Sequence, residues 1–386
     1  KQRNAAGRLH MKELLVVPQI DSFRTFKEFA DEFELGPADL ILTNEYLYDP
    51  LMKDADTGSS FIFQEKFGGG EPSDIMVDEI LEQASKLDFN RVIAVGGGTV
   101  IDIAKILSLD EATDVDSLYD RDQLTRSRKL VILPTTCGTG SEVTNIAIVN
   151  RTRKGTKMGL VSPAMYADHA VLVPEFMKSL PWNVFATSSI DALIHAIESY
   201  LSPNATEFTE LFSEAAIDKI LRGYSRIAKD GRQVRSEDDE EYLKAAAGAG
   251  IAFGNAGCAA VHAISYAFGA KYHVPHGESN YQFLTEVLKE YRMKKPGGTI
   301  AELEKLILDT LVKYEFASEE ESDGFAALEG LLSEILELKP MGAYGAVPED
   351  PEDFAASTVA NQQRLLKNNY VPLTEEEIET IYKNRM

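Results

Sequence analysis

Four side chains of the types that bind metals fall in two groups between residues 191 and 276. Asp191 and His195 are four residues apart, and His262 and His276 lie further along, the latter within a Val-Pro-His-Gly sequence. Residues four apart on a helix point from the same face, so Asp191 and His195 can reach one ion together. One carboxylate and three imidazoles suit divalent iron or zinc. We therefore expect a metal centre, with separate buried polar contacts as the alternative for each pair.

A glycine-rich turn upstream of these residues separates a strand pattern from a helix pattern. Residues 92–95 are apolar and are followed at once by Gly96, Gly97, Gly98 and Thr99. Glycines let the backbone approach a phosphate closely, and the N–H groups at a helix start carry partial positive charge. The turn departs from the G-x-G-x-x-G pattern, and a purely structural turn is the alternative.

A second polar turn follows the apolar run at residues 129–133. It is rich in hydroxyls and glycines at the carboxyl end of a strand, where open α/β sheets bind their ligands. These groups suit a phosphate, a ribose or a nicotinamide amide, and a plain polar turn is the alternative. The two turns together predict a coenzyme site, for which the candidate residues are Gly96, Gly97, Gly98, Thr99, Asp102, Thr135, Thr136, Thr139 and Ser141.

Short apolar runs alternate with helical patterns from about residue 38 to 184. Strands are expected at residues 39–43, 91–95, 129–133 and 170–173. This alternation predicts a parallel α/β sheet with crossover helices. Beyond residue 181 helical periodicity dominates. We therefore expect an α/β dinucleotide-binding domain over residues 11–184, followed by an all-helical metal- and substrate-binding domain over residues 185–386.

Charge and composition narrow the possible partners. The formal net charge of -23 argues against nucleic acid and anionic membranes, because both require exposed positive charge. No apolar run is long enough to span a membrane. Cys137 and Cys258 lie among small residues and are expected to be free thiols in a reducing cytoplasm. Residues 1–10 precede the first methionine and lack apolar periodicity, so we leave them out of the expected fold.

Taken together, these motifs resemble those of the iron-containing (group III) alcohol dehydrogenase family over essentially all of residues 11–386. The markers are GGGTVIDIAK at 96–105, PTTCGTGSEVT at 134–144, DALIHAIE at 191–198 and VPHG at 274–277. The resemblance implies a nicotinamide coenzyme in a cleft between an α/β and a helical domain, and a homodimer that acts on a small molecule. It also implies that iron(II) or zinc is bound by Asp191, His195, His262 and His276.

Two residues near the expected metal ligands qualify the resemblance. Tyr266, one helical turn beyond His262, stands where the family usually has a histidine near the nicotinamide. A family-standard proton relay is therefore in doubt, and we expect Tyr266 to line the site or to donate a hydrogen bond. Glu198, one turn beyond His195, is either the partner that orients an imidazole or an ordinary surface carboxylate.

Three further positions concern the coenzyme, and two of them, Asn44 and Glu45, concern the choice between NAD and NADP. Lys157 matches a family lysine on the coenzyme side, with a solvated loop lysine as the alternative. Asn44 ends the strand at 39–43, where many relatives carry an aspartate that repels a 2′-phosphate. Asparagine repels less, but the neighbouring Glu45 can still accept a hydrogen bond from a ribose hydroxyl. We therefore expect NAD rather than NADP.

Three segments, LTNEY at 42–46, FQEKFG at 63–68 and YHVPHGE at 272–278, narrow the resemblance to family members that act on 4-hydroxybutyrate. We expect reversible, NAD-linked interconversion of 4-hydroxybutyrate and succinate semialdehyde, with the metal as Lewis acid. In so acidic a chain the substrate carboxylate needs a local cation, for which His273 and Lys271 are candidates. The alternatives are an alcohol or diol dehydrogenase or aldehyde reductase for neutral alcohols, a dehydroquinate-synthase-like lyase, and a non-catalytic nucleotide-binding protein.

Overall fold

The computed structural model describes residues 2–3, 9–10 and 12–386 and divides them into two compact units. The sheet unit consists of Val17–Phe185 and Arg235–Gly250. The helical unit consists of the described residues up to Val16, together with Ala186–Val234 and Ile251–Met386. The expected domain boundary after residue 184 lies one residue before the division between Phe185 and Ala186. The structure differs from the expected domains at residues 235–250, which belong to the sheet unit.

Six strands form one parallel sheet in the order β3–β10–β7–β6–β4–β5, and β8 and β9 form an antiparallel hairpin. The strands are β1 (Gln2–Arg3), β2 (Leu9–His10), β3 (Gln19–Ser22), β4 (Asp39–Thr43), β5 (Ser60–Phe63), β6 (Arg91–Gly96), β7 (Lys129–Pro134), β8 (Ile146–Arg151), β9 (Thr156–Val161) and β10 (His169–Leu172). Of residues 1–10, which the sequence excludes from the expected fold, the structure describes only the paired strands β1 and β2.

The central strands are buried along nearly their whole length, which explains their unbroken apolar runs. The four strands expected from those runs correspond to β4, β6, β7 and β10. The sequence does not predict the edge strands β3 and β5 or the β8–β9 hairpin. Strand β3 reads Gln-Ile-Asp-Ser and is largely exposed, so it offers no apolar run to recognise.

Helices cover both faces of the sheet. Helix α1 packs on the face that carries Ile41 and Ile93, and helices α3 and α4 pack on the face that carries Leu40 and Val92. The helices are α1 (Phe26–Glu32), α2 (Glu45–Leu47), α3 (Asp74–Ala84), α4 (Gly98–Leu107), α5 (Val115–Tyr119), α6 (Trp182–Leu201), α7 (Glu207–Asp230), α8 (Asp239–Ala256), α9 (Ala260–Tyr272), α10 (His276–Tyr281), α11 (Leu284–Lys294), α12 (Thr299–Lys313), α13 (Gly324–Ile335), α14 (Asp350–Asn361), α15 (Gln363–Leu366) and α16 (Glu375–Lys383).

A close backbone contact explains why most of α8 belongs to the sheet unit. Gly140, in the turn after β7, has a φ of 58°, and a Cβ added to it would lie 2.5 Å from the Cα of Gly250 and 3.1 Å from the carbonyl oxygen of Ala246. Only small residues on α8 permit this approach. The contact joins segments more than 100 residues apart, so local sequence patterns do not reveal it.

Helix α9 is central to the helical unit and packs against α10, α11, α14 and α15. Its neighbours therefore fix the position of every side chain that it presents.

Among the described helices, none alone has the length and hydropathy to cross a membrane. One pair bent by 104°, Arg232–Ala256 with Ala260–Tyr272, meets those criteria jointly, by length and composition only.

Candidate functional site

Three helices of the helical unit bring the predicted metal ligands together. Asp191, His195 and Glu198 follow one another at spacings of four and three residues on α6, so they share one face of that helix. His262 lies in the first turn of α9, and His276 is the first residue of α10. Local helix geometry thus positions Asp191, His195 and Glu198 relative to one another. The packing of α9 and α10 against α6 brings His262 and His276 to them.

The nitrogen and oxygen atoms of the four residues converge. The Nε2 atoms of His195 and His262 are 3.0 Å apart, and Asp191 Oδ1 lies 3.6 Å from His262 Nε2 and 3.7 Å from His276 Nε2. Asp191 Oδ2 is 3.9 Å from His195 Nδ1. Ligands about 2.1 Å from a shared tetrahedral ion are roughly 3.4 Å apart, so the spacing of Asp191, His262 and His276 fits one divalent metal, and His195 adjoins this group through its contact with His262.

Glu198 holds His262 in the orientation that a metal ligand needs. Its carboxylate accepts hydrogen bonds from the backbone N–H groups of Ala259, at 3.0 Å, and Val261, at 2.6 Å. It also lies 2.6 Å from His262 Nδ1. An Nδ1–H that donates to Glu198 leaves the Nε2 lone pair directed at the cluster. Glu198 is buried, so it is not a surface carboxylate.

The cluster concentrates buried negative charge. Burial opposes ionisation of Asp191, but His195, His276 and His262 lower the pKa of its carboxyl well below the ordinary range. Burial opposes protonation of His262, yet the carboxylates of Glu198 and Asp191 raise the pKa of its imidazole to about 9. Two buried carboxylates beside three imidazoles attract a cation, and a divalent metal can satisfy them in place of a proton.

Gly277 allows α10 to approach α6 closely enough to place His276. A Cβ added to Gly277 would lie 2.0 Å from the carbonyl oxygen of Thr187 on α6. Phe253 stacks on the ring of His195, with ring centroids 4.3 Å apart and planes 19° apart. The ligands are therefore held by packing as well as by hydrogen bonds.

Helix α9 directs Lys271 away from this cluster. Lys271 lies about 180° around the helix from His262 and about 13 Å further along it. Its ammonium pairs with the buried carboxylate of Asp350 on α14, and this contact raises the pKa of Lys271. The structure thus differs from the expectation that Lys271 is available to a substrate carboxylate, because helical periodicity places it on the opposite face.

The two other predicted catalytic side chains lie at different depths. Tyr266 is partly buried, and its ring centroid lies 6.0 Å from that of His276. His273 is exposed and ends α9 in the left-handed region, with a φ of 53°. The expected role of His273 in proton transfer or carboxylate binding stays a prediction.

The sheet unit has its own candidate site where the strand order reverses. The chain runs from β4 to β5 on one side and then to β6 on the other, and open α/β sheets bind ligands at such a point, beyond the carboxyl ends of the strands. Asn44 follows β4, and Gly97 follows β6. After the neighbouring β7, the N–H of Thr135 donates to the carbonyl of Gly96 at 3.1 Å.

The glycine turn and the threonine turn pack against each other. A Cβ added to Gly97 would lie 3.4 Å from Thr136 Cγ2, and one added to Gly98 would lie 3.1 Å from Thr139 Cγ2. The predicted phosphate-binding turn and hydroxyl-rich turn therefore lie side by side at one edge of the sheet. Helix α4 begins at Gly98, so its first N–H groups belong to the same edge.

Asp102 and Ser141 lie beneath these turns in a buried network around Lys105. The Lys105 ammonium donates to Ser141 Oγ at 2.6 Å and to the carbonyl of Ile146 at 2.7 Å, while Ser141 Oγ donates to Asp102 Oδ1 at 2.7 Å. Burial raises the pKa of Asp102 and lowers that of Lys105. These contacts brace the turns from below, and direct contact of Asp102 or Ser141 with a coenzyme stays a prediction.

The side chains expected to choose the coenzyme are engaged with acidic partners. Asn44 Nδ2 donates to Glu65 Oε2 at 2.8 Å, and the Glu45 N–H donates to the same carboxylate at 2.6 Å. Lys157 lies on strand β9 and forms a 2.7 Å ion pair with Glu71. The Glu65 carboxylate therefore lies at the end of β4, and the Glu45 carboxylate pairs with Lys66.

Thr99 is tied to the loop that precedes α3. Its hydroxyl donates to the carbonyl of Gly70 at 2.9 Å. That loop also carries Glu71, the partner of Lys157. The loop before α3 is thus linked both to the first turn of α4 and to the hairpin.

Family models match both parts of the chain. Residues 22–174 match the model for iron-containing alcohol dehydrogenase, and residues 185–386 match the model for the C-terminal part of the Fe-containing alcohol dehydrogenase family. The chain belongs to the iron-containing alcohol dehydrogenase family. A 4-hydroxybutyrate dehydrogenase of Clostridium kluyveri is 47% identical over 374 residues, which cover 97% of this chain and 99% of that relative.

Solved structures share the fold of this iron-containing alcohol dehydrogenase. A 1,3-propanediol oxidoreductase superposes with a TM-score of 0.82 at 23% identity, over 98% of this chain and 100% of the other. Sulfoacetaldehyde reductase from Bifidobacterium kashiwanohense, in complex with NAD+, superposes with a TM-score of 0.81 at 21% identity, over 98% and 99% of the two chains. The expected family and the expected fold, a parallel α/β part followed by a helical part, are confirmed.

Sequence reasoning missed two residues beside the metal-ligand cluster of this iron-containing alcohol dehydrogenase. Asn280 Nδ2 lies 2.7 Å from Asp191 Oδ1 and 3.2 Å from His276 Nε2. The Cys258 sulfur lies within 4.8 Å of ring nitrogens of two ligand histidines. Both residues stand four positions from a ligand, Asn280 after His276 and Cys258 before His262. Asn280 shares helix α10 with His276, so for Asn280 that spacing is the signal that could have found it.

Proposed function

We propose that this enzyme interconverts 4-hydroxybutyrate and succinate semialdehyde reversibly, with NAD as the hydride carrier. The observation that carries the proposal is the 47% identity to the 4-hydroxybutyrate dehydrogenase of Clostridium kluyveri, which extends over 97% of this chain. The converging carboxylate and imidazoles in the helical unit and the paired turns in the sheet unit supply the two sites that this chemistry needs.

Asp191, His195, His262 and His276 would hold divalent iron or zinc, since both metals accept this ligand set. When bound, such an ion is a Lewis acid that lowers the pKa of an alcohol hydroxyl and stabilises negative charge on a carbonyl oxygen. The contribution of the chain is a fixed geometry. Glu198 anchors His262 through Nδ1, so this ring cannot rotate away from the cluster.

The edge of the sheet unit supports NAD binding. Helix α4 starts at Gly98, and the N–H groups of its first turn offer partial positive charge to a pyrophosphate. At the end of β4, the carboxylate of Glu65 accepts hydrogen bonds from Asn44 Nδ2 and from the Glu45 N–H, and the Glu45 carboxylate pairs with Lys66. Negative charge at this position repels a 2′-phosphate, so we propose NAD rather than NADP. The NAD+ bound to the sulfoacetaldehyde reductase of the same fold is consistent with this assignment.

Tyr266 is proposed to shape the pocket wall. Its ring packs with the apolar cluster around Cys258 and Leu365 on one side and lies near the ring of His276 on the other. Oxidation of an alcohol releases one proton in addition to the hydride. His273, exposed at the end of α9, stays the candidate to pass that proton to solvent.

We further propose a homodimer in the cytoplasm. Cys137 and Cys258 are both buried and form no disulfide, as is typical of proteins in a reducing compartment. Strand β3 lies at one edge of the six-stranded sheet with Ile20 exposed, and an exposed edge can pair with a second copy. Light scattering should give twice the 42.6 kDa mass of the chain, and a mass equal to one chain would contradict the dimer.

The test compares NAD-linked oxidation of 4-hydroxybutyrate, 1,2-propanediol, 1,3-propanediol and butan-1-ol after anaerobic loading with iron(II). We expect the kcat/KM for 4-hydroxybutyrate to exceed that of every neutral alcohol. Activity on neutral alcohols alone would contradict the proposed substrate and favour a general alcohol or diol dehydrogenase. No activity on any of them, with metal bound, would contradict the dehydrogenase function itself.

A further inference from the structure

An apolar wall adjoins the metal-ligand cluster in the helical unit. Cys258, Ala263 and Leu365 are buried together, and Phe253, Tyr266 and Leu366 pack against them. Two of these side chains also touch the cluster, because the Phe253 ring stacks on His195 and the Tyr266 ring lies 6.0 Å from His276. The wall therefore begins at the ligands and ends at the two leucines of α15.

Arg364 stands at the far end of this wall, directly before Leu365 on α15. Its side chain is exposed, and among the residues that the structure describes it has no ion-pair or hydrogen-bond partner. The residue that follows it, Leu365, is buried beside Cys258, whose sulfur lies within 4.8 Å of ring nitrogens of His195 and His262. An available guanidinium thus adjoins the end of an apolar wall that leads to the cluster.

We propose that Arg364 binds the carboxylate of the substrate and thereby selects 4-hydroxybutyrate over uncharged alcohols, an inference that rests on the proposed function. The substrate presents a hydroxyl, three methylenes and a carboxylate, with roughly 5 Å between the hydroxyl oxygen and the carboxyl carbon in an extended chain. The helical unit presents the same order of complementary groups: metal ligands, an apolar wall and a cation. The planar guanidinium fork of arginine matches a carboxylate through two parallel hydrogen bonds.

The neighbouring cations fit this role less well. Lys271 is held by the Asp350 carboxylate on the opposite face of α9 from His262. The charge of a histidine such as His273 depends on its protonation, whereas an arginine is positively charged at every working pH. Arg364 therefore replaces both of the cations that the sequence suggests as carboxylate anchors.

The experiment compares wild-type enzyme, Arg364→Gln, Arg364→Lys and the control Lys367→Gln, each loaded with iron(II). Lys367 is the next exposed cation, three residues along the chain. The substrates are 4-hydroxybutyrate and 1,4-butanediol, which has a hydroxymethyl group in place of the carboxylate. Loss of one charge-assisted contact should raise the KM for 4-hydroxybutyrate about 10- to 100-fold in Arg364→Gln, with the KM for the diol unchanged. Arg364→Lys should restore part of the loss, and Lys367→Gln should match wild type.

The possible failures point to different errors. An unchanged KM for 4-hydroxybutyrate in Arg364→Gln, or an equal rise for both substrates, would overturn the role of Arg364 while leaving the proposed function intact. A wild-type enzyme that uses 1,4-butanediol but not 4-hydroxybutyrate would overturn the proposed substrate and the inference with it. The melting temperature of each variant shows whether the fold is preserved, and Arg364→Lys provides the readout if Arg364→Gln does not fold.

Discussion

The buried carboxylate of Glu198 is the side chain whose replacement tests the metal centre most directly. One of its oxygens accepts a hydrogen bond from Val261 N–H, and the other accepts from Ala259 N–H and lies 2.6 Å from His262 Nδ1. Glutamine has nearly the same shape but only one carbonyl oxygen. Whichever way its amide is placed, an NH₂ group faces a buried N–H donor.

The cost of Glu198→Gln follows from this geometry. The best placement of the amide keeps the bonds to Ala259 and His262 and loses the one to Val261, which leaves a buried N–H unsatisfied. Losing a bond to a charged group and stranding its donor costs about 2–4 kcal/mol in the free energy of unfolding. Loss of a partner that orients a metal-bound imidazole typically weakens metal binding about 10- to 100-fold. We therefore expect a lower melting temperature together with a weaker metal affinity.

Competition between the metal-free protein and a chromogenic chelator for zinc measures the affinity, and thermal unfolding measures the stability. Glu278→Gln is the matched control, since Glu278 also lies in the helical unit and accepts one hydrogen bond, from the Tyr344 hydroxyl at 2.6 Å. That variant should bind zinc as wild type does. Equal zinc affinity in wild type and Glu198→Gln would refute the argument that Glu198 orients a metal ligand.

Three further substitutions probe other parts of the structure. Gly277→Ala should destabilise the protein by about 1–3 kcal/mol and weaken zinc binding, because the new methyl group meets the Thr187 carbonyl. Thermal unfolding and the zinc competition measure these two effects, and wild-type behaviour in both would contradict the prediction. Glu142 has a buried Oε1 without a hydrogen-bond partner, and burial raises the pKa of its carboxyl group from 4.5 to about 7. As pH rises from 4.5 to 7, the unfolded chain loses this proton while the folded chain keeps it, so the free energy of unfolding falls. Glu142→Gln should therefore raise the free energy of unfolding near pH 8 by on the order of 3 kcal/mol, and with it the melting temperature, but should leave both unchanged near pH 4. The opposite pH dependence of the melting temperature would refute this. Lys105→Met should lower the free energy of unfolding by about 3–5 kcal/mol, because it leaves the buried Asp102 carboxylate without its cation. It should also raise the KM for NAD, and an unchanged KM would show that the network does not brace the turns.

The sequence predicts the elements whose cause is local. Strands β4, β6, β7 and β10 are buried on both faces, so each is an unbroken apolar run that needs no tertiary information. Strand β3 forms because β10 pairs with it, and its own side chains carry almost no signal. The assignment of residues 235–250 to the sheet unit likewise depends on Gly250 meeting Gly140, a contact that local patterns cannot contain.

The same distinction applies to the candidate site. Helical spacing predicts that Asp191, His195 and Glu198 share a face of α6. The same spacing places Lys271 on the opposite face of α9 from His262. The contact between Glu198 and His262 and the position of Arg364 depend on how α6, α9 and α15 pack. Such contacts join residues 64 or more positions apart, so the structure was needed to find them.

Electrostatics explains why a metal and an arginine are both needed for the proposed substrate. The chain carries a net charge of -23, and Asp191 and Glu198 add two buried carboxylates at the place where the alcohol must bind. Like charges about 4 Å apart repel by about 4 kcal/mol at the effective dielectric of a protein surface. A divalent cation offsets the negative charge of the cluster itself. The substrate carboxylate lies three methylenes away along an apolar wall, so an adjacent guanidinium attracts it more strongly than the metal does. An acidic enzyme for an acidic alcohol therefore requires two separate positive centres, and the helical unit offers the second of them in Arg364.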